Sequence, residues 1–320
     1  MHGSGTNPAL AAELLRAGNC VALPTETVYG LAARADDPQA IRRIFEHKGR
    51  PLTNPLILHF SDVEDLEGWV DLKAMPEGAR ALMMAFWPGP LTLLLPRGPK
   101  VQDLVCAGLP HVAVRIPQHP MFRDIIRQVG APLAAPSANP SGYVSPTNAG
   151  HVLSQYADSP LPFVLDGGPC ARGVESTILG WTPAPTIYRL GALPPEAIEK
   201  VTGRPCAFLE SDSILAPGML PHHYAPHTPV VVSDAVPPAD AGWITWQAME
   251  PTPTHPFRIG ISDRGDLEEA ATHLYGAMIA LDQLDLACIF VQPFPESGLG
   301  LTLNERIARA ARRHESGLAV

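Results

Sequence analysis

What this 320-residue chain lacks narrows the possibilities first. No apolar run approaches the roughly 18 residues that a membrane-spanning helix needs, so no membrane segment is expected. The opening Met1–Asn7 is short and polar, without the apolar region of a secretory signal peptide. Cysteine is scarce: Cys20, Cys106, Cys170, Cys206 and Cys288 lie far apart and form no C-x-x-C. That argues against zinc-ribbon and thioredoxin patterns and suits reduced thiols in a cytoplasmic protein. There is no G-x-G-x-x-G, no Walker loop and no G-x-S-x-G, so neither a dinucleotide fingerprint, a P-loop nor a serine-hydrolase elbow is supported. Internal repeats and low-complexity segments are absent as well. Positive charge is short: 23 basic against 32 acidic residues give a net charge of −9. A surface built wholly to grip nucleic acid is therefore disfavoured, though a local positive cleft is not. Only four of the basic residues are lysines (Lys48, Lys73, Lys100, Lys200), so a lysine inside a motif carries unusual weight.

Two loop clusters stand out against that background. The first is P-T-E-T-V-Y-G at 24–30 followed by K-G-R-P-L-T-N-P-L-I-L-H at 48–59. Lys48 and Arg50 flank a turn-forming glycine, with Thr25, Thr27 and Tyr29 before them and His59 after. Cations, hydroxyls and loop formers in one span suit an anionic, phosphate-bearing ligand. A helix C-terminus favours cations in any case, but Gly49 and Pro51 define a loop rather than a fraying end. The second cluster, P-S-A-N-P-S-G-Y-V-S-P-T at 136–147, offers Ser137, Asn139, Ser141 and Ser145. Alone it is an ordinary turn-rich loop. Beside the first it reads as a cradle for phosphate or ribose.

The pattern along the chain is α/β. Asn7-Pro8 and Asp37-Pro38 are helix-start signals, the second opening an amphipathic helix that ends at Lys48. Further helices are expected at 76–86, 120–129, 148–155 and 194–202. Strands are expected at 20–23, 56–60, 92–95, 111–116, 163–166, 176–179 and 186–189. This makes a catalytic domain over 1–206 with a twisted mixed sheet. Residues 207–228 are too rich in Pro and Gly for regular structure and read as a linker or lid. A small Rossmann-like α/β domain is expected over 229–320. Its strands fall at 230–233, 258–262 and 287–291, with helices at 267–284 and 303–313 and a parallel sheet.

Other candidates have bland readings too. Arg115 and Arg189 each end an apolar strand and can be rim residues or point into a cleft at the strand ends. Ser176 is equally open, and Glu175 can be acid, base or ion-pair partner. His222, His223 and His227 are interrupted by Pro221 and Pro226, so no zinc site is expected. Arg306, Arg309, Arg312 and Arg313 read as cations favoured near a helix C-terminus, ahead of an RNA patch.

At this point the chain resembles the threonylcarbamoyl-adenylate synthases, in the long form with a YrdC-type catalytic domain and a C-terminal domain. The resemblance spans nearly the whole chain. It rests on P-T-E-T-V-Y-G-L, K-G-R-P-x-x-N-P-L-I-x-H, W-P-G-P-L-T, V-A-V-R-I-P, P-S-A-N-x-S-G and G-V-E-S-T-I, then P-G-M-x-x-x-H-Y-A-P-H-T-P. It implies that L-threonine, bicarbonate or CO2, and ATP give threonylcarbamoyl-AMP and pyrophosphate, for modification of a tRNA adenosine. By the same resemblance, Thr27, His59, Arg115, Ser176 and the backbone at Ala135 hold threonine. Lys48, Arg50, Asn54, Ser137, Asn139, Ser145, Arg189 and the linker residue Tyr224 hold ATP. Lys48 and Arg50 are the expected catalytic cations, and His223-Tyr224 the aromatic part of a lid. Mg2+ is expected to travel with ATP rather than in a protein cage. The product would pass to a tRNA threonylcarbamoyl-transferase complex, with direct tRNA binding left open. Rival readings are an RNA-binding module, a carbamoyltransferase for another acceptor, and a nucleotide-sensing subunit. Net charge and the intact cation-hydroxyl set weigh against the first and last.

Overall fold

The computed structural model describes residues 3–209, 215–219, 224–247 and 254–315. Eleven strands among them form one mixed sheet, and four form a second sheet in which every pairing is parallel. The centre of the large sheet runs Gly30–Arg34, Leu133–Ala134, Ile57–His59, His111–Arg115, Leu91–Pro96, Thr177–Trp181 and Pro185–Arg189, in that spatial order. Segments far apart in sequence thus present their ends side by side. His59 and Arg115 are direct cross-strand partners, and each ends its strand.

Local chemistry explains the elements that carry the motifs. Asn7 accepts hydrogen bonds from the Ala9 and Leu10 amides and starts helix Pro8–Arg16. Asp37 does the same for Gln39 and Ala40 at the head of helix Pro38–Lys48. Ala40, Ile41, Ile44 and Phe45 bury one face of that helix in the main core. Gly49 ends it at a φ of 59°, a left-handed turn that costs a side-chain-bearing residue about 1–2 kcal/mol. The turn sends Lys48 and Arg50 in different directions.

Several expectations need correction. The linker stretch is not wholly irregular, because Ala207–Phe208 pairs in parallel with Thr186 and Ile187 at the sheet edge. The last helix begins earlier than expected, at Leu299, and runs to Glu315, so Arg306 and Arg309 lie mid-helix. Strands Gly30–Arg34 and Gly242–Thr245 were not anticipated. The five cysteines are free thiols. Among the described residues, no helix is long and apolar enough to cross a membrane.

The C-terminal unit packs directly on the G-V-E-S-T segment. A Cβ on Gly173 would sit 2.2 Å from the Ala271 carbonyl oxygen, so backbone meets backbone there. Thr302 donates to the Gly191 carbonyl at 2.9 Å, a second bond between the two units.

Candidate active site

The strand ends and loops of the large sheet converge on a narrow cavity of about 50 Å3. Nine of the expected site residues line it: Thr27, Arg50, His59, Arg115, Ala135, Ser137, Ser176, Arg189 and Tyr224. Thr25, Val28, Gly30, Pro136, Glu175 and the linker's Pro217 and Gly218 are among the remaining lining residues.

One end is built around Arg115. Its guanidinium pairs with Glu26 at 2.6 Å, donates to Thr27 Oγ1 at 2.9 Å and to the Gly89 carbonyl at 3.1 Å. Thr27 in turn shares a hydrogen bond with Thr25 at 2.8 Å. His59 is 3% exposed, its ring 5.2 Å from that of Phe122. Burial, and then the nearby Arg115 cation, push His59 down to about 3, so it is a neutral imidazole at neutral pH. Ser176 completes this end with a 2.7 Å hydroxyl pair to Thr92.

The other end holds two guanidinium groups bonded only to neutral oxygens in the hydrogen bonds observed. Arg50 donates to the Asn54 carbonyl, to Asn54 Oδ1 at 2.6 Å and to the Pro55 carbonyl. Arg189 donates to the Ser176 carbonyl at 2.7 Å, to Ser176 Oγ at 3.1 Å and to the Pro217 carbonyl at 3.4 Å. Neither forms an ion pair among the described residues, and both are 7% exposed. Burial, then the Arg189 charge, lower Arg50 to about 9. Two buried cations lining one cavity, neither hydrogen-bonded to a carboxylate, favour a polyanion there.

The remaining four expected residues stand behind the wall instead of in it. Lys48 Nζ donates to the carbonyls of Ser137, at 2.6 Å, and Asn139. The backbone repeats the tie, since the Ser141 amide donates to the Lys48 carbonyl at 2.7 Å. Lys48 thus pins the 136–141 loop and is not among the residues that line the cavity. Burial, and then Arg50, hold its ammonium well below the usual lysine range. Asn54 braces Arg50. Asn139 donates to the carbonyls of Pro140 and Tyr143 and shapes the same loop. Ser145 donates to Glu175 Oε1 at 2.6 Å.

Glu175 is an ion-pair partner, neither acid nor base. Its other oxygen accepts from Arg306 Nε at 2.9 Å and from Tyr275 at 3.0 Å. Burial alone would raise its pKa, but Arg306, Arg189 and the Ser145 hydroxyl outweigh that and hold it at about 2. Arg306 is fully buried, which corrects its reading as helix-end decoration. Arg309 likewise turns inward and donates to the Gly218 carbonyl at 2.5 Å. Arg312 is exposed. The C-terminal unit therefore supplies part of the cavity's support. Tyr224 has a φ of 65° and lies 6.0 Å from the nearly parallel ring of Tyr275. His222 and His223 lie outside the described residues.

Comparisons with known proteins identify the family. A family model for Sua5, YciO and YrdC proteins, described as "Telomere recombination", matches residues 13–191. A second, described as "Threonylcarbamoyl-AMP synthase, C-terminal domain", matches residues 193–312. The threonylcarbamoyl-AMP synthase of Bacillus subtilis is 39% identical over 95% of this chain and 92% of its own length. That of Pyrococcus abyssi is 39% identical over 94% and 93%. The crystal structure of P. abyssi Sua5 complexed with L-threonine matches with a TM-score of 0.86 at 36% identity, covering 95% of this chain and 94% of that one. Fold and site together define an α/β enzyme of the Sua5/YrdC type with an added C-terminal domain. Within that class the chain belongs to the threonylcarbamoyl-AMP synthase family, and its activity is threonylcarbamoyladenylate synthesis.

Proposed function

We propose that the two ends of the cavity divide the substrates. The end built from Thr27, His59, Arg115, Ser176 and the Ala135 backbone takes L-threonine. The end carrying Arg50, Ser137, Arg189 and Tyr224 takes ATP. The observation that carries this is the pair of buried guanidinium groups, Arg50 and Arg189, with neutral oxygens as their bonded partners. The P. abyssi relative's complex with L-threonine supports threonine as a ligand of this fold.

The chemistry asks little of the protein beyond placement. The threonine amine adds to CO2, loses a proton and becomes a carbamate. A carbamate oxygen then attacks the α-phosphorus of ATP, the bond to the β,γ-phosphates breaks, and pyrophosphate leaves. Two anions must meet, so Arg50 and Arg189 screen one while Arg115 orients the other. Neutral His59 adds no competing charge and can accept a hydrogen bond. Lys48, Asn54, Asn139 and Ser145 act one layer back, by fixing the loop and the cations. The mixed anhydride formed is sensitive to water, which gives the linker residues Pro217, Gly218 and Tyr224 a reason to cover the cavity.

Among the described residues, the cavity lining gives no cage for Mg2+. Glu175, the carboxylate lining the cavity, is already taken by Ser145, Tyr275 and Arg306. Among the described residues, no cluster of three or more metal-binding side chains occurs. Mg2+ would arrive as the counter-ion of the triphosphate. The labile product calls for an acceptor, which we take to be a tRNA threonylcarbamoyl-transferase complex.

The test is product analysis by mass spectrometry with ATP, bicarbonate and either threonine or serine. Threonylcarbamoyl-AMP and pyrophosphate are expected, with threonine preferred about 10–200-fold, the discrimination one methyl group gives in an apolar pocket. Formation of ADP and phosphate, or equal rates with both amino acids, would overturn the assignment.

A further inference from the structure

Glu175 is a puzzle for a site that must receive a triphosphate. It lines the cavity, and its charge adds to the repulsion that an incoming anion meets. It also lies within electrostatic reach of Arg189, one of the two cations facing the ligand. A buried carboxylate left alone would draw that arginine to itself.

The C-terminal helix Leu299–Glu315 supplies the counter-charge from behind. Arg306 Nε donates to Glu175 Oε2 at 2.9 Å, Nη1 to the carboxylate of Glu305, which Arg309 also pairs, and Nη2 to the Leu190 carbonyl at 2.6 Å. Its guanidinium carbon lies 4.5 Å from the centre of the Tyr224 ring, a stacking contact that fixes the plane of the fork. Arg306 is not part of the cavity wall, so it does not meet the substrate. Leu303, Ile307 and Ala310 around it are buried, which leaves the guanidinium no route to solvent.

We propose that Arg306 is a positioning residue for the nucleotide. It engages Glu175 from the far side, so that Arg189 keeps neutral oxygens as its partners and meets polyphosphate without a carboxylate bound to it. The inference rests on the nucleotide reading of the cavity given above. Arg306 acts through Arg189, whose contact with phosphate is made before the reaction and kept during it. Its loss should therefore weaken ATP binding more than turnover.

The experiment uses steady-state pyrophosphate release by the full chain, with thermal unfolding measured beside it. In Arg306→Gln the KM for ATP should rise by roughly tenfold or more, with kcat changed by less than about threefold. The double variant Arg306→Gln with Glu175→Gln removes both charges and frees Arg189 again. It should return KM to within about threefold of the wild type, although it retains the packing change. A purely structural Arg306 would leave the double variant no better than the single one, and that result would overturn the proposal. If Arg306→Gln does not fold, the double variant decides alone: a KM for ATP raised roughly tenfold sinks the idea. Wild-type enzyme that forms no adenylate would overturn the nucleotide reading itself. Active wild type with an unchanged KM in Arg306→Gln overturns only the positioning role.

Discussion

Lys48→Met isolates what the ammonium does. Methionine keeps most of the stem's volume inside a position only 3% exposed, and removes the donor. The carbonyls of Ser137 and Asn139 then lose their bond to Nζ. A buried acceptor left unsatisfied costs about 1–3 kcal/mol, so the pair costs roughly 2–6 kcal/mol. Part of that is relieved if the 136–141 loop shifts, and a shift moves Ser137 in the cavity wall. Each 1.4 kcal/mol that falls on nucleotide binding is about tenfold in affinity. The expected outcome is a KM for ATP raised about 10–100-fold, with a lower urea midpoint. Lys48→Arg should fail similarly, because a planar fork does not fit between two carbonyls that hold a point charge. Pyrophosphate release against ATP concentration, beside urea unfolding, is the assay. A KM within about threefold of wild type in Lys48→Met, at unchanged stability, would refute the loop-pinning argument.

Acid should weaken the fold through His59. The unfolded imidazole takes a proton near the ordinary histidine value of 6.5, whereas the folded one resists until about 3. Its contribution is therefore full above pH 6.5 and is lost as pH falls toward 3, by about 1.4 kcal/mol per unit. Glu175, lowered from 4.5 to about 2, adds a loss only below about pH 4.5. Urea midpoints of wild type and His59→Gln between pH 7 and 5 should diverge, and parallel curves would remove this account. Gly218→Ala should impair nucleotide use. Its Cβ would lie 2.9 Å from Arg189 Nη1 and from the Tyr224 hydroxyl, at a φ of +82°. Backbone strain alone is about 1–2 kcal/mol. ATP kinetics of this variant should show a KM roughly tenfold higher, and wild-type values would show that the linker does not press on Arg189.

Much of the catalytic unit was legible because its signals are local. Asn7 and Asp37 cap as their types prefer, Gly49 turns left-handed, and strand-ending His59 and Arg115 meet in register. The K-G-R spacing told that two cations share a helix end. It could not tell which one faces the cavity, because that depends on a left-handed turn between them and on a loop 89 residues away. Strand Gly30–Arg34 was overlooked because its Gly and Ala residues have low strand preference, and pairing on both sides overrides it. Arg306 was misread because its partner lies 131 residues earlier. A signal did exist: it falls among Leu303, Ile307 and Ala310, an apolar helix face where a solvated arginine does not belong. Glu26 was likewise available, as the acid inside an otherwise uncharged P-T-E-T loop.

The distance between Glu175 and Arg306 along the chain also sets a timetable for synthesis. A ribosome adding about 5–20 residues per second needs on the order of ten seconds to travel from one to the other. Throughout that interval the nascent catalytic unit has its strands, its loops and its cations, but one wall of the cavity still holds a carboxylate without its partner. The cavity proposed to take the nucleotide reaches its final charge balance only after the last helix has emerged and docked. On this reading a premature stop before residue 306 would leave the Glu175 carboxylate without the Arg306 guanidinium.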